Sequence, residues 1–311
     1  MTERLLSLDD LTNDIVISHV EDDSVINALA TDGDLLYSVS STGVLGTWSM
    51  GTLRELHAVR IGTESLLCLA LDQEYVFIGS SYSTAAIAVW RKDDFSPVIS
   101  FRDDLSSVLA ISDNGREVLA ARSGGSVDFY SKSEWAKVVS LPSQQNIATA
   151  LAVDDEYIYV GGIDDFVTVF KRQDFSHVVN LEGHDADIFC LFSDGDYLLS
   201  GSGEVWWGGP GSPRPPSFES AVRIWKKGTW ECVRVLEGHE DNVNGIAADD
   251  ERIYSISDDG TLRSYLKSDW TQTVLPLSSR PLKSVISNNE YLYTCDGAGR
   301  IMKVAKSVFK D

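Results

Sequence analysis

The chain has 311 residues, 43% of them hydrophobic and 10% aromatic, with 47 acidic against 26 basic side chains and a formal charge of -21. This composition suffices for a packed core, and the longest apolar runs are too short to cross a bilayer as a helix. The acidic surplus argues against nucleic acid as a partner, because no basic excess is available to displace phosphate counterions.

In chain order, the N-terminal stretch MTERLLSLDD lacks a basic region followed by a long apolar run. No secretory leader is predicted, and cytoplasmic residence is expected. Residues 1–14 fall outside any repeated pattern and fit either a short helix or a strand-like cap. Residues 15–20 are apolar and β-branched, and read as a strand with no unit of its own.

From Ile26 onward the sequence is periodic. The clearest unit runs from Val233 to Trp270 and contains four runs, VRVL, NGIAA, RIYSIS and LRSYLK, separated by GHED, DDE and SDDG. Alternating β-branched and aromatic residues between turn formers predict four strands. Seven units share an apolar or small opening position, at Ile26, Leu66, Val108, Ala148, Ile188, Val243 and Leu282. They also share a closing position, at Trp48, Trp90, Tyr130, Phe170, Trp225, Tyr265 and Val304. A period of about 40 residues with four strands predicts an all-β, seven-bladed β-propeller of four antiparallel strands per blade, a single domain over residues 1–311. Too little sequence follows Val304 to supply a fourth strand to the last unit. The strand at 15–20 is therefore expected to complete blade seven and close the ring.

Length variation is confined to units two and five, and falls between their second and third strands. That loop follows an even-numbered strand and shares one face, the top, with the inter-blade loops. Unit two carries Tyr82 there, and Phe166 of unit four joins the same surface. Unit five has a long Gly/Pro-rich loop at about 204–218 with Trp206, Trp207, Arg214 and Phe218. Long loops in compact domains commonly carry function, and large amphipathic aromatics suit interface anchors. On the opposite face the inner turns are acidic, as in Asp32-Gly33-Asp34 and Asp249-Asp250-Glu251, and basic residues such as Lys92, Lys132 and Lys267 follow the closing positions. An acidic inner ring inside a basic outer one is expected.

The cysteines Cys68, Cys190, Cys232 and Cys295 have neither zinc nor disulfide spacing, and Cys68 and Cys190, two residues after their openers, read as small core residues. His19, His57 and His177 are scattered, and no hydrolase or phosphate-loop motif appears. Acid pairs such as Asp154-Asp155 fall at repeated turns, where Asp stabilises the turn itself. No cofactor and no metal site are expected.

Gly183-His184 and Gly238-His239, together with the period and the closing aromatics, give the chain a resemblance to the WD-repeat family over residues 15–311. The resemblance implies a structural hydrogen-bonded tetrad of histidine, serine, aspartate and tryptophan in each typical blade. Unit six matches with His239, Ser255 and Asp259, with Tyr265 in the tryptophan place. Unit five matches with His184, Ser200 and Trp225, with Glu219 in the aspartate place. No unit has the Trp-Asp dipeptide, so the ring is a divergent one.

These observations predict a monomeric, non-catalytic scaffold that binds a protein or peptide, favouring basic partners, on its top face, and that engages neither nucleic acid nor membrane. Trp206, Trp207, Arg214 and Phe218 would be the principal contacts, with Tyr82 and Phe166 lesser ones. The alternative is a propeller enzyme, or a small-ligand or cation binder, acting at the mouth of the axial channel.

Overall fold

A computed structural model describes residues 3–8, 11, 14–20, 24–81, 86–101, 106–142, 147–204 and 219–310. Strands β1 (Glu3–Leu5) and β2 (Ile15–His19) precede the first blade, made of β3 (Ile26–Thr31), β4 (Leu35–Ser40), β5 (Val44–Ser49) and β6 (Glu55–Arg60). The second blade holds β7 (Leu66–Leu71), β8 (Tyr75–Ser80), β9 (Ile87–Arg91) and β10 (Pro97–Phe101), and the third β11 (Val108–Asp113), β12 (Glu117–Arg122), β13 (Ser126–Ser131) and β14 (Ala136–Pro142). The fourth holds β15 (Ala148–Val153), β16 (Tyr157–Gly162), β17 (Phe166–Lys171) and β18 (His177–Glu182), and the fifth β19 (Asp187–Asp194), β20 (Tyr197–Gly203), β21 (Val222–Lys226) and β22 (Cys232–Leu236). The sixth holds β23 (Val243–Ala248), β24 (Arg252–Ser257), β25 (Thr261–Leu266) and β26 (Gln272–Pro276), and the last β27 (Leu282–Ser287), β28 (Tyr291–Asp296) and β29 (Arg300–Ala305), followed by a 3-10 helix at Lys306–Phe309.

The four strands of every blade pair antiparallel, and the first strands of successive blades pack side by side from β3 to β27 and back to β3, so they line the axis of a closed ring. β2 pairs antiparallel with β29, Ile15 opposite Val304 and His19 opposite Arg300, and so supplies the missing outer strand of blade seven. Within residues 1–14, Glu3–Leu5 form the strand β1. It is a fifth strand on blade six, parallel to β26.

Second and third strands are buried on both faces because neighbouring sheets cover them, which makes their apolar runs nearly continuous rather than alternating. The core is divided accordingly into seven clusters, each spanning one blade boundary. Sheets approach so closely there that a Cβ on Gly201 would lie 2.5 Å from Cys190 Sγ and 2.8 Å from Val243 Cγ1 of the next blade. Cys68 and Cys295 are buried and Cys190 is half-buried, whereas Cys232 is exposed on an outer strand.

Three features of the blade recur without any signature in a single unit. A register shift follows the opener in all seven blades, as between Ile26 and Ala28 or Val243 and Gly245. The extra residue turns toward the next blade, where Asn27 Nδ2 donates to the carbonyl of Leu66 at 2.6 Å and Asn244 Nδ2 to that of Leu282 at 2.8 Å. Second, the fifth residue after the closing position adopts left-handed backbone in six blades, at Leu53, Phe95, Trp135, Phe175, Trp230 and Trp270. Glycine would relieve that strain of about 1–2 kcal/mol, but these side chains pack across blade boundaries. Trp135 meets Tyr75 edge-on at 5.2 Å, Phe175 meets Phe129 at 4.8 Å and Trp230 meets Tyr157 at 4.9 Å, each on the preceding blade.

Third, the acidic and basic rings are interlocked rather than concentric. The second residue after each closing position reaches the first acidic residue of the preceding blade's inner turn: Lys92 to Asp32, Lys132 to Asp72, Lys227 to Asp154, Lys267 to Asp194 and Lys306 to Asp249, all at 2.6 Å. Arg172 donates instead to the carbonyl of Asn114. The aspartates also cap their own turns, as Asp154 Oδ1 does for the Glu156 and Tyr157 amides. Burial alone would raise the Asp154 carboxyl, but Lys227, Tyr159 and these amides hold it down at about 2. At the boundary between blades seven and one the pair is replaced by Met50 and Asn288, and Tyr293 donates its hydroxyl to the Met50 carbonyl at 3.1 Å.

Lys132 also contacts Asp113 at 2.9 Å and is 16% exposed, so its removal leaves two carboxylates without their cation. Lys132→Met is expected to destabilise the protein by about 1–2 kcal/mol, whereas Lys226→Met, which loses an exposed pair with Asp196, is expected to leave stability unchanged within error. Urea denaturation measures both, and equal effects would show that the interlocked ring contributes no more than an ordinary surface pair.

Candidate functional site

The top face is built by the β8–β9, β20–β21 and equivalent loops, and by the inter-blade connections. In blade five the connection between Gly203 and Val222 is far longer than the corresponding Thr42 region of blade one, where only residues 41–43 separate β4 from β5. Trp206, Trp207, Arg214 and Phe218 lie outside the described residues, as does Tyr82. Phe166 opens β17 on this side of blade four and is half-buried.

Both roots of the blade-five loop are fixed. The Glu204 amide donates to Asn242 Oδ1 of blade six at 2.7 Å, and a Cβ on Gly203 would fall 2.4 Å from that same oxygen. On the return, the Glu219 amide donates to Asp185 Oδ1 at 3.2 Å, Ser202 Oγ donates to the Glu219 carbonyl at 2.9 Å, and the Ala221 amide donates to Ser202 Oγ at 3.3 Å. Asp185 belongs to an acidic patch beside this root. The Asp165 carboxyl is pushed above its ordinary value, first by burial and then by the negative charges of Asp164 and Asp185.

Beneath the loop lies the blade-five tetrad. Trp225 Nε1 donates to Ser200 Oγ at 2.8 Å, Ser200 Oγ is 2.6 Å from His184 Nε2, and His184 Nδ1 is 2.8 Å from Glu219 Oε2. The partners fix the order of protons: the serine hydroxyl donates to Nε2, and Nδ1–H donates to the carboxylate. Glu219, which burial alone would raise, is held below its ordinary value by His184 and Arg223, and Arg223 Nε reaches its Oε1 at 2.9 Å. In blade six His239 Nε2 is 2.7 Å from Ser255 Oγ and its Nδ1 is 3.0 Å from Asp259 Oδ2. Tyr265 makes no bond like the tryptophan's: among the described residues its buried hydroxyl has no partner within hydrogen-bonding geometry, and burial pushes it up to about 12, although Ser255 nearby acts to lower it.

A serine, a histidine and an acid in line resemble a nucleophilic triad in composition. Ser200 and Ser255 are both fully buried, however, and their hydroxyls are committed to histidine, so no carbonyl can approach them. The arrangement ties the turns that precede strands one and three to strand two of the same blade.

Other blades meet the same need with residues that no motif announces. In blade one Trp48 Nε1 donates to Ser38 Oγ at 2.8 Å, beside a cavity of about 170 Å3 lined by Ser40, Gly46 and Glu55. In blade three Arg122, fully buried, donates to Asp128 Oδ2 at 2.5 Å and to the Tyr130 hydroxyl at 2.5 Å, while Lys137 and Ser140 bond the same carboxylate at 3.0 and 2.6 Å. In blade seven Asp296 accepts from Ser278 and from Arg300 Nε, both at 2.7 Å. The signal was available only by alignment of units, since Arg122 and Asp296 stand at the place of Ser202 and Ser257.

The bottom face carries open grooves. One, of about 940 Å3, crosses blades one to three over Asp32, Asp72, Asp113, Lys92 and Lys132, whose charges are already paired with each other. Among the described residues no group of three or more His, Cys, Asp or Glu side chains is placed to hold a metal ion, and no helix is long and apolar enough to cross a membrane.

Comparison with known proteins agrees with this architecture. The family model for the WD domain, G-beta repeat, matches residues 175–204 and 230–265, which lie mainly in blades five and six, where the histidine tetrads are found. Mitochondrial division protein 1 of Malassezia globosa is 28% identical over 137 residues, covering 41% of this chain and 20% of that protein. Cell division control protein 4 of Saccharomyces cerevisiae is 28% identical over 101 residues, 32% of this chain and 11% of that protein. The matched stretches thus span a fifth or less of these relatives. The crystal structure of the computationally designed Ika8 protein superposes with a TM-score of 0.71 at 17% identity, covering 92% of this chain and 98% of that one, and shares the fold. The repeat is recognised where the histidine–serine–acid bonds occur, and over those residues this seven-bladed β-propeller is similar to the WD-repeat family.

Proposed function

We propose that this propeller is a non-catalytic platform that binds a protein or peptide of basic character on its top face, through the blade-five loop. WD-repeat propellers are typical protein-interaction scaffolds, which supports the class of function. The observation that carries the choice of face is the pairing of a long loop, held at both roots, with the adjoining acidic patch of Asp164, Asp165 and Asp185. An acid raised by burial and by its like-charged neighbours is stabilised when a cation arrives, so Lys or Arg of a partner gains affinity there. Trp206, Trp207, Arg214 and Phe218 would supply the anchoring contacts above this patch, and Tyr82 and Phe166 the flanking ones. We place the molecule in the cytoplasm as a monomer, with a charge of -21 that disfavours nucleic acid.

Affinity capture with wild type and with Trp206→Ala/Trp207→Ala, followed by quantitative mass spectrometry, tests this reading. Recovery of the specific partners is expected to fall roughly tenfold or more, as for loss of an interface hot spot. Identical partner sets from both proteins would remove the loop from the binding site.

A further inference from the structure

Blade six holds a buried cation that its own sheet leaves incompletely partnered. Arg263, in β25, is 7% exposed, and its Nε and Nη1 atoms make no hydrogen bond among the described residues. Gln272 Nε2, at the start of β26, is likewise buried and unbonded. In blade five the equivalent Arg223 is held by Glu219 through Nε at 2.9 Å and Nη2 at 2.8 Å. The corresponding acid of blade six, Asp259, is one methylene shorter and already saturated. Its Oδ2 accepts from His239 and from the Glu240 amide, and its Oδ1 from the Thr261 amide and hydroxyl.

The orphaned donors converge. A Cβ on Gly238 would meet Arg263 Nη1 at 2.4 Å and Gln272 Nε2 at 3.0 Å, so both groups lie over the bare Cα of that glycine. The carboxylate that faces them comes from outside the blade. Glu3 of β1 places Oε2 3.9 Å from Arg263 Nη1, and pairs in register with Gln272. Its hold is poor: β1 is three residues long, exposed throughout, and added parallel to an otherwise antiparallel sheet, with Leu5 70% exposed. The Leu6 amide donates to the Val274 carbonyl at 2.9 Å, and Leu6 packs on the apolar seam between blades six and seven.

We propose that the outer edge of blade six is a strand-acceptor site for an extended acidic peptide of a partner protein, and that β1 occupies it in cis as a displaceable stand-in. A partner strand gains the same main-chain bonds to β26, and a carboxylate seated closer than that of Glu3 accepts from the Arg263 guanidinium and the Gln272 amide together. The under-satisfied donors favour a carboxylate ligand over an apolar one, because they are the groups that an incoming acid completes. This site lies on the rim of the ring, separate from the top-face loop, and selects the opposite charge.

A fluorescent peptide of residues 2–8, TERLLSL, is the probe, titrated into the full-length chain and into full-length Glu3→Lys/Leu6→Asp, whose own strand is repelled by Arg263 and deprived of its apolar anchor. Removing the intramolecular competitor, whose effective concentration is on the order of millimolar, is expected to tighten binding at least about tenfold. The same peptide with Glu3→Gln is expected to bind the unseated chain about tenfold more weakly, and Arg263→Leu in that background to reproduce the loss. Equal affinity of the two chains for the peptide, no binding to the unseated chain at about 1 mM peptide, or equal binding of the Glu and Gln peptides would each overturn the proposal. The last comparison alters only the peptide and holds even if the Arg263 variant fails to fold.

Discussion

Deletion of residues 1–20 is expected to lower the melting temperature by about 10 °C or more, whereas deletion of residues 1–8 lowers it by no more than about 2–3 °C. The difference isolates β2. Its five residues pair with Arg300–Val304 of β29, of which Ile301, Met302 and Val304 are fully buried. The flanks are tied as well, with the Ala305 amide donating to the Asp14 carbonyl and the Val20 amide to the Gly299 carbonyl. Losing five residues of ladder at about 1 kcal/mol each, together with the packing of Ile15, removes several kcal/mol. It also bares an edge strand in the blade that must seal against blade one. That boundary has no Lys–Asp pair and rests on the apolar cluster of Ile26, Trp48, Tyr293 and Ile301 and on bonds such as that of Tyr293 to the Met50 carbonyl, to which the sheet completed by β2 presents one face. Differential scanning fluorimetry of the two truncations decides the matter, and an unchanged melting temperature for the longer deletion would refute closure by β2.

The second large effect is expected at His239. Replacement by alanine removes two buried bonds and leaves Ser255 fully buried without its acceptor and Asp259 without its main side-chain donor. A loss of about 3 kcal/mol is expected, measured as a shift of the urea midpoint. The substitution also changes the pH dependence. In the folded protein burial, aided by the nearby Arg263 charge, holds the imidazole below its ordinary 6.5 despite the attraction of Asp259. Below pH 6.5 the unfolded chain therefore takes up a proton that the native chain refuses, and stability falls by up to about 1.4 kcal/mol per pH unit until the depressed native pKa is reached. Asp259 works in the same direction at lower pH. Burial would raise it, but His239, Thr261 and the Glu240 amide hold it far below the ordinary carboxylate value. Its stabilisation is present above about pH 4 and lost on further acidification. Between pH 7 and 5 the wild type should lose stability more steeply than His239→Ala; parallel curves would show that His239 titrates normally.

Much of the fold was legible in the sequence because each blade buries its inner strands on both faces. Openers such as Ile26 and Val243 must be small or apolar to pack beneath the next sheet, and closers such as Trp48 and Trp225 must fill the gap between sheets, so the period survives where motifs do not. The histidine–serine–acid bonds of blades five and six were legible through the family resemblance, since His184 and His239 follow glycine at one repeat position. The candidate face was legible only as an excess of length between β20 and β21, with its aromatic content.

What the sequence by itself determined, then, is the number of blades, the strand that closes the ring, and the blade that departs from the pattern, because all three follow from local periodicity and its interruption. The tertiary structure decided the rest. It interlocked the charged turns, so that Lys132 and Asp72, 60 positions apart, neutralise each other. It gave blade three an internal ion cluster where others use histidine, exposed Cys232, and laid Glu3 against Arg263 at the far end of the chain. The Lys–Asp and Glu3–Arg263 pairings join separate blades or distant strands and the blade-three cluster joins neighbouring strands, and the free energy of such a charge depends on which partner the fold brings within bonding distance, a quantity that the hydrophobic period does not encode.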